Sequence, residues 1–183
     1  MDALVAETAN GLLGFHVGQF PVQQLGISST QIGRYPVVVI SDSRRGFMPM
    51  QPLGLDITMP LKLSIPAVAN SLRPKIEDAI RDGEIIVERT IAIDSLSAGL
   101  EFVNQANWSS ILPCWICLTE LGNERLTVNP IVSPALRVDV SLNYPSQRSL
   151  SRPAQMLYEY FARELKRSEE ERQRITLATL SNS

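Results

Sequence analysis

The 183 residues include one histidine, two cysteines and no basic surplus, and each shortage removes a class of function. Cys114 and Cys117, at CxxC spacing, are too few for the disulfide framework of a small secreted protein. With His16 as the lone imidazole there are also too few soft ligands for a structural zinc site, so no metal site is assigned. The formal net charge of −2 supplies no general attraction to a phosphate backbone, and this chain alone is not expected to bind DNA well. No apolar run approaches the roughly 18 residues of a membrane span, and the N-terminal MDALVAETAN lacks a basic stretch followed by an apolar core. The expectation is a cytoplasmic protein with no membrane partner. Gly-x-Ser-x-Gly, a phosphate-cradling glycine loop and His-rich metal spacing are all missing, so no catalytic residue and no cofactor is assigned.

What is present is an ordinary globular composition, 44% hydrophobic and 20% charged, without a linker, a low-complexity tract or an internal repeat. Residues 1–8 read as the end of a helix that stops at Asn10-Gly11, and Leu12–Gly18 as a short buried strand. PVVVIS over 36–41 is nearly continuous in β-branched residues, which suits a strand covered on both faces. Segment 42–58 reads as a connection and 60–65 as a strand. Asn70 and Ser71 are good N-caps for a helix with Leu72, Ile76, Ala79 and Ile80 inward and a stop at Gly83. A strand over 85–93 follows, then a helix carrying Leu96, Leu100 and Val103. Further strands are expected ending at Pro113, near 126–128 and over 136–143, with a short helix over 115–121. A long helix from 152 to about 171 is expected to turn Leu157, Phe161 and Leu165 inward. This alternation predicts an α/β fold with mostly parallel sheets.

In such folds ligands settle at the carboxyl ends of strands, where helix N-termini offer unpaired N–H groups. Ser64, Ile65, Asn70 and Ser71 stand at one such position, with helix capping as the alternative role of the last two. Asp94 reads as a cap and Ser95 as a ligand contact in the next loop, and Pro113 ends a further strand. Gly18 and Gln19 follow the first strand and present either a cleft contact or a plain turn. His16 reads as a packed core residue rather than a pH switch. The CxxC reads as small buried hydrophobes more readily than as a redox pair.

Several segments, taken in order, resemble the effector-binding (substrate-binding) domain of bacterial LysR-type transcriptional regulators. IAIDSLSAGLEFVNQANWSSILP over 91–113 is similar to that family's strand, Asp-Ser-Leu turn, helix and closing Leu-Pro. PLKLSIPAVANSLRPKIEDAIRDG resembles its strand and Asn-x-Leu-Arg helix start, and NPIVSPALRVDVSLNYPSQRSLSRPAQMLYEYF its return strand and C-terminal helix. GLLGFHVGQFP and GISSTQIGRYPVVVIS resemble the strands of its first lobe. The resemblance implies a two-lobed fold like a type 2 periplasmic binding protein, with lobe one, incomplete, over 1–58 and 133–183 and lobe two over 59–132. It also implies an N-terminally truncated member lacking the winged helix-turn-helix, through which alone DNA would be contacted. The implied function is sensing of a small-molecule effector, an anion among the candidates, by a homo-oligomer that controls transcription without being an enzyme. The alternatives are a solute-binding protein fragment for transport and a CxxC oxidoreductase. Where the family has two glycines before its closing strand this chain has Ala106 and Trp108, which is expected to set a large side chain beside the cleft.

Overall fold

The computed structural model describes residues 2–19, 24–56, 60–66, 72–120, 122–147, 149–161 and 163–164, those at 2 and 117–119 in backbone only. The described elements are α1 (Asp2–Ala9), β1 (His16–Gln19), β2 (Ile27–Asp42), β3 (Leu53–Gly54), β4 (Leu61–Ile65), α2 (Leu72–Arg81), β5 (Val87–Ala92), α3 (Leu96–Ala106), β6 (Ser109–Pro113), β7 (Leu126–Ser133) and β8 (Arg137–Pro145), followed by a helix over 152–161. They form two compact units, residues 1–34 with 139–183 and residues 35–138, and the chain passes from one to the other inside β2 and inside β8. Segments 35–58 and 133–138, placed with lobe one by the sequence reading, group here with the second unit. The cause is hydrogen bonding: the second half of β2 pairs with β6 and β7.

In the first unit β1 pairs antiparallel with β8, His16 opposite Asn143. β8 also lies beside the first half of β2, where Asp139 takes hydrogen bonds from Gln31 (2.9 Å) and Arg34 (2.6 Å). α1 ends at Gly11, whose φ of 74° is open to glycine and strained for other residues. The helix over 152–161 differs from expectation: Leu157 is 45% and Phe161 37% exposed, with Ala154 its buried residue. Leu165 lies outside the described residues.

In the second unit the order is β2-β6-β4-β5, with β7 on the other side of β2 and the two-residue β3 beside β7. β4 runs parallel to β5 and β6, and β3 parallel to β7, whereas β2 is antiparallel to both β6 and β7. The sheet is therefore mixed rather than mostly parallel, because the strands that carry the chain between units run against the βαβ strands. Val37, Val39, Ile40, Leu61, Leu63 and Ile111 are at most 1% exposed, as strands covered on both faces require. One face packs Val38, Ile40, Leu112, Leu126 and Val128 against Val103 of α3. α2 buries Leu72, Ile76 and Ala79 at the spacing of one helical face and stops at Gly83, φ 75°.

Candidate functional site

Because β4, β5 and β6 are parallel neighbours, their carboxyl ends, Ile65, Ala92 and Pro113, stand on one edge of the second unit. β2 runs the other way, so Val37, near the start of its second half, is opposite Pro113 at the same edge. Ser64 is 2% exposed; its carbonyl accepts from the Ser110 hydroxyl at 3.2 Å, and its Oγ faces Gly99 of α3, about 4.0 Å from where a Cβ would stand. Ile65 is buried and its carbonyl accepts from the Ile93 N–H at 3.0 Å. The Arg73 guanidinium at the start of α2 straps this loop, Nη1 donating to the Pro66 carbonyl at 3.1 Å and Nε to Glu77 at 2.8 Å.

Ser95, not Asp94, caps α3: its Oγ accepts from the Ala98 N–H at 3.3 Å, with Ser97 Oγ 3.1 Å away. The reason is positional, since the cap oxygen must come from the last non-helical residue, and Ser95 has that extended backbone (φ −86°, ψ 125°). A hydroxyl that accepts still has a proton to donate, so capping and ligand contact are compatible at Ser95. Asp94 is exposed beside it.

Pro113 is buried, and Cys114–Thr119 forms a short 3-10 helix directly after it. Its Trp115, half-buried, meets Tyr35 edge to face with ring centroids 5.3 Å apart. This aromatic pair at the mouth was missed by sequence reasoning, because Tyr35 reaches Trp115 only through the β2–β6 register. Cys114 is half-buried, and the Cys117 side chain lies outside the described residues.

The structure thus brings Ser64, Ile65, Ser95 and Pro113 to one edge. Asn70 and Ser71 lie outside the described residues. Gly18 and Gln19 belong to the first unit, at the end of β1. Gly18 is small for a local reason: a Cβ there would stand 3.1 Å from Asn143 Nδ2. That amide serves His16, whose burial holds its imidazole below the usual histidine range. Trp108 does not approach the carboxyl edge, contrary to expectation. It precedes β6, at the opposite end of the strand from Pro113, and packs on Phe102 (5.2 Å) and the core cluster. Among the described residues no group of His, Cys, Asp and Glu could hold a metal ion, and no helix is long and apolar enough to cross a membrane.

The chain matches the family described as LysR substrate binding domain over residues 3–166. The CcmR regulatory domain of Synechocystis PCC6803, solved in complex with 2-PG, shares the fold at 14% identity with a TM-score of 0.70, covering 90% of this chain and 79% of that one. A C206 mutant of Corynebacterium glutamicum OxyR superposes with a TM-score of 0.72 at 23% identity, over 97% of this chain and 55% of that one. The BenM effector binding domain with its effector benzoate gives a TM-score of 0.70 at 12% identity, over 93% and 77%. No curated protein matches the chain. It spans 55% of the OxyR chain and 79% of the CcmR regulatory domain. A match over residues 3–166, on a fold shared with these regulatory proteins, establishes that this chain belongs to the LysR substrate-binding-domain family.

Proposed function

We propose that this chain senses a small-molecule effector and so controls transcription, as a cytoplasmic, non-catalytic part of a homo-oligomeric regulator. Support comes from the family match and, above all, from three parallel strand ends meeting at one edge with neutral polar groups beside them. Such edges bind small polar molecules through hydroxyls and backbone N–H groups at helix starts. The contacts we assign are Gly18, Gln19, Ser64, Ile65, Asn70, Ser71, Ser95 and Pro113, with Trp115 and Tyr35 as an apolar wall. The family's two lobes, over 1–58 with 133–183 and over 59–132, are the parts whose arrangement the effector biases. Effector binding changes the balance between lobe arrangements only to the extent that it binds them with different affinity. DNA contact is assigned to a helix-turn-helix outside these residues.

The segments that carry these contacts, 18–19, 64–71, 93–96 and 113–116, contain a single charged side chain, Asp94. An anionic effector is therefore held here by hydroxyls and backbone donors, against the field of Asp94.

The test is a thermal-shift screen with amino acids, carboxylates and aromatic acids. A sensor gains stability as RT ln(1 + [L]/Kd), about 2.7 kcal/mol at a hundredfold excess over Kd. Ser95→Asp preserves the cap, so the variant is expected to melt near the wild type and to respond at least tenfold more weakly to a carboxylate hit. A screen in which no class raises the melting temperature contradicts the proposal.

A further inference from the structure

A cavity lies at the end of the second unit's sheet opposite the carboxyl edge. Asp42 is opposite Leu126, whereas Val37 is opposite Pro113; five residues of extended chain place the two ends about 17 Å apart. The cavity has a volume of 430 Å3, within the range of small-molecule sites. Its apolar lining includes Phe47, Met50, Leu126 and Val128, and its polar lining includes the carboxylates Glu120 and Glu124. Among the described residues no lysine or arginine lines it. Among the described residues neither carboxylate has an ion pair, and Glu120 accepts a single hydrogen bond, from Asn123 at 3.1 Å.

The wall formed by residues 46–51 is held in place from beneath. Asn129, fully buried, donates to the carbonyls of Met48 (2.6 Å) and Gln51 (2.9 Å), and the Met50 N–H donates to Val128 at 2.8 Å. These bonds fix Met50 at φ 63°, a left-handed conformation that is strained for a non-glycine residue. The result is a pre-formed wall presenting Phe47, Pro49 and Met50 (57% exposed) to the cavity that Glu120 and Glu124 also line. Arg45 stands over one face of the Phe47 ring, 5.7 Å from its centroid, and gives its hydrogen bonds to the carbonyls of Pro60 and Asn107, not to Glu120 or Glu124.

We propose that this cavity is a second ligand site, distinct from the effector edge, that takes a small organic cation with an apolar body. Its ammonium group faces Glu120 and Glu124, and its body lies on Phe47 and Met50, whose ring face and polarisable sulfur suit a cation carried on a hydrocarbon. The cavity and its charge stand independently of which ligand occupies the carboxyl edge.

A matched trio tests it: phenethylamine, phenethyl alcohol and phenylacetate, titrated by calorimetry into the 183-residue chain at pH 7. Phenethylamine is expected to bind saturably, at least tenfold tighter than the alcohol, with phenylacetate weaker still. Glu124→Gln, at an exposed position with no described bond, is expected to weaken the amine about fivefold without moving the melting temperature, and E120Q/E124Q to abolish the preference over the alcohol. Equal affinities across the trio, undiminished amine binding in E120Q/E124Q, or no binding of the amine would each overturn the proposal.

Discussion

Asp42→Ala is expected to destabilise the protein by about 3 kcal/mol at pH 7, of the order of a hydrogen bond to a charged group plus a stranded backbone donor. Asp42 ends β2 and is 1% exposed, yet it carries a carboxylate. Oδ1 accepts from the Arg44 N–H and Nε, both at 2.9 Å, and Oδ2 from the Asn107 N–H at 3.2 Å and from Arg44 Nη2. One side chain thereby caps the 3-10 turn over 43–45, holds the left-handed residue that closes α3, and places an opposite charge beside itself. Alanine leaves the Arg44 and Asn107 N–H groups without that acceptor, whereas Asp42→Asn keeps one oxygen and should cost less.

The Arg44 guanidinium, bonded to the carboxylate, holds the Asp42 pKa below the ordinary range. The unfolded chain therefore takes up the proton first. The contribution of Asp42 is fully present above about pH 4 and is lost as pH falls through the lower folded value. Urea unfolding should show a wide gap between wild type and Asp42→Ala at pH 7 that narrows well below pH 4. A gap under about 0.5 kcal/mol at pH 7 would show that the network contributes nothing net.

The second large effect lies in the first unit. Thr8 Oγ1 gives its proton to the Leu4 carbonyl (2.7 Å), so at its 2.7 Å contact with His16 it must accept. His16 is accordingly assigned the Nδ1–H tautomer, and Nε2 accepts from Asn143 Nδ2 at 3.2 Å, while Asn143 Oδ1 accepts from the Ser29 hydroxyl. A second proton, on Nε2, would meet an N–H donor. Desolvation by burial lowers the His16 pKa for its own reason.

With the folded pKa lowered, the unfolded chain binds the proton first. Stability is full above about pH 6.5, falls as pH drops below it, and levels off once the folded imidazole also titrates. His16 is the one histidine in the sequence, so its ring resonances report this without ambiguity. They should titrate below the ordinary value, and Gly18→Ala, which crowds Asn143, should move them back toward it. Asn143→Leu, which removes the donor to Nε2, is expected to cost about 2 kcal/mol at pH 7. An ordinary titration in the wild type would contradict the relay.

Where a residue's neighbours in sequence are also its neighbours in space, the fold was legible. Leu72, Ile76 and Ala79 spell one helical face, and a glycine at the left-handed stop ends it, so α2 is readable from its own residues. The second half of β2 was equally visible through Val37–Ile40. Its first half has no such run, and only the family resemblance reached it: Ser28, Thr30 and Gln31 are held as strand by β8, more than a hundred residues later, which supplies the partner edge. For the same reason the antiparallel strands were invisible to a reading that counted alternating strands and helices.

The candidate site divides along the same line. That strand ends preceding helices would gather at one edge follows from local pattern, and Ser64, Ile65, Ser95 and Pro113 do gather. Asp94 and Ser95 exchanged expected roles because one residue of helix boundary decides which side chain is the cap. Asp42, the most enclosed carboxylate of the second unit, sat in a stretch read as the start of a connection, since its partners Arg44 and Asn107 come together only through tertiary structure.

The most direct test of effector sensing at the strand ends is amide NMR mapping of whichever compound the thermal screen yields, titrated into the wild type. The largest shift changes are expected at Ser64–Ile65, Ile93–Ser95 and Cys114–Trp115. Changes confined to other parts of the molecule, with these amides unmoved at saturation, would contradict it.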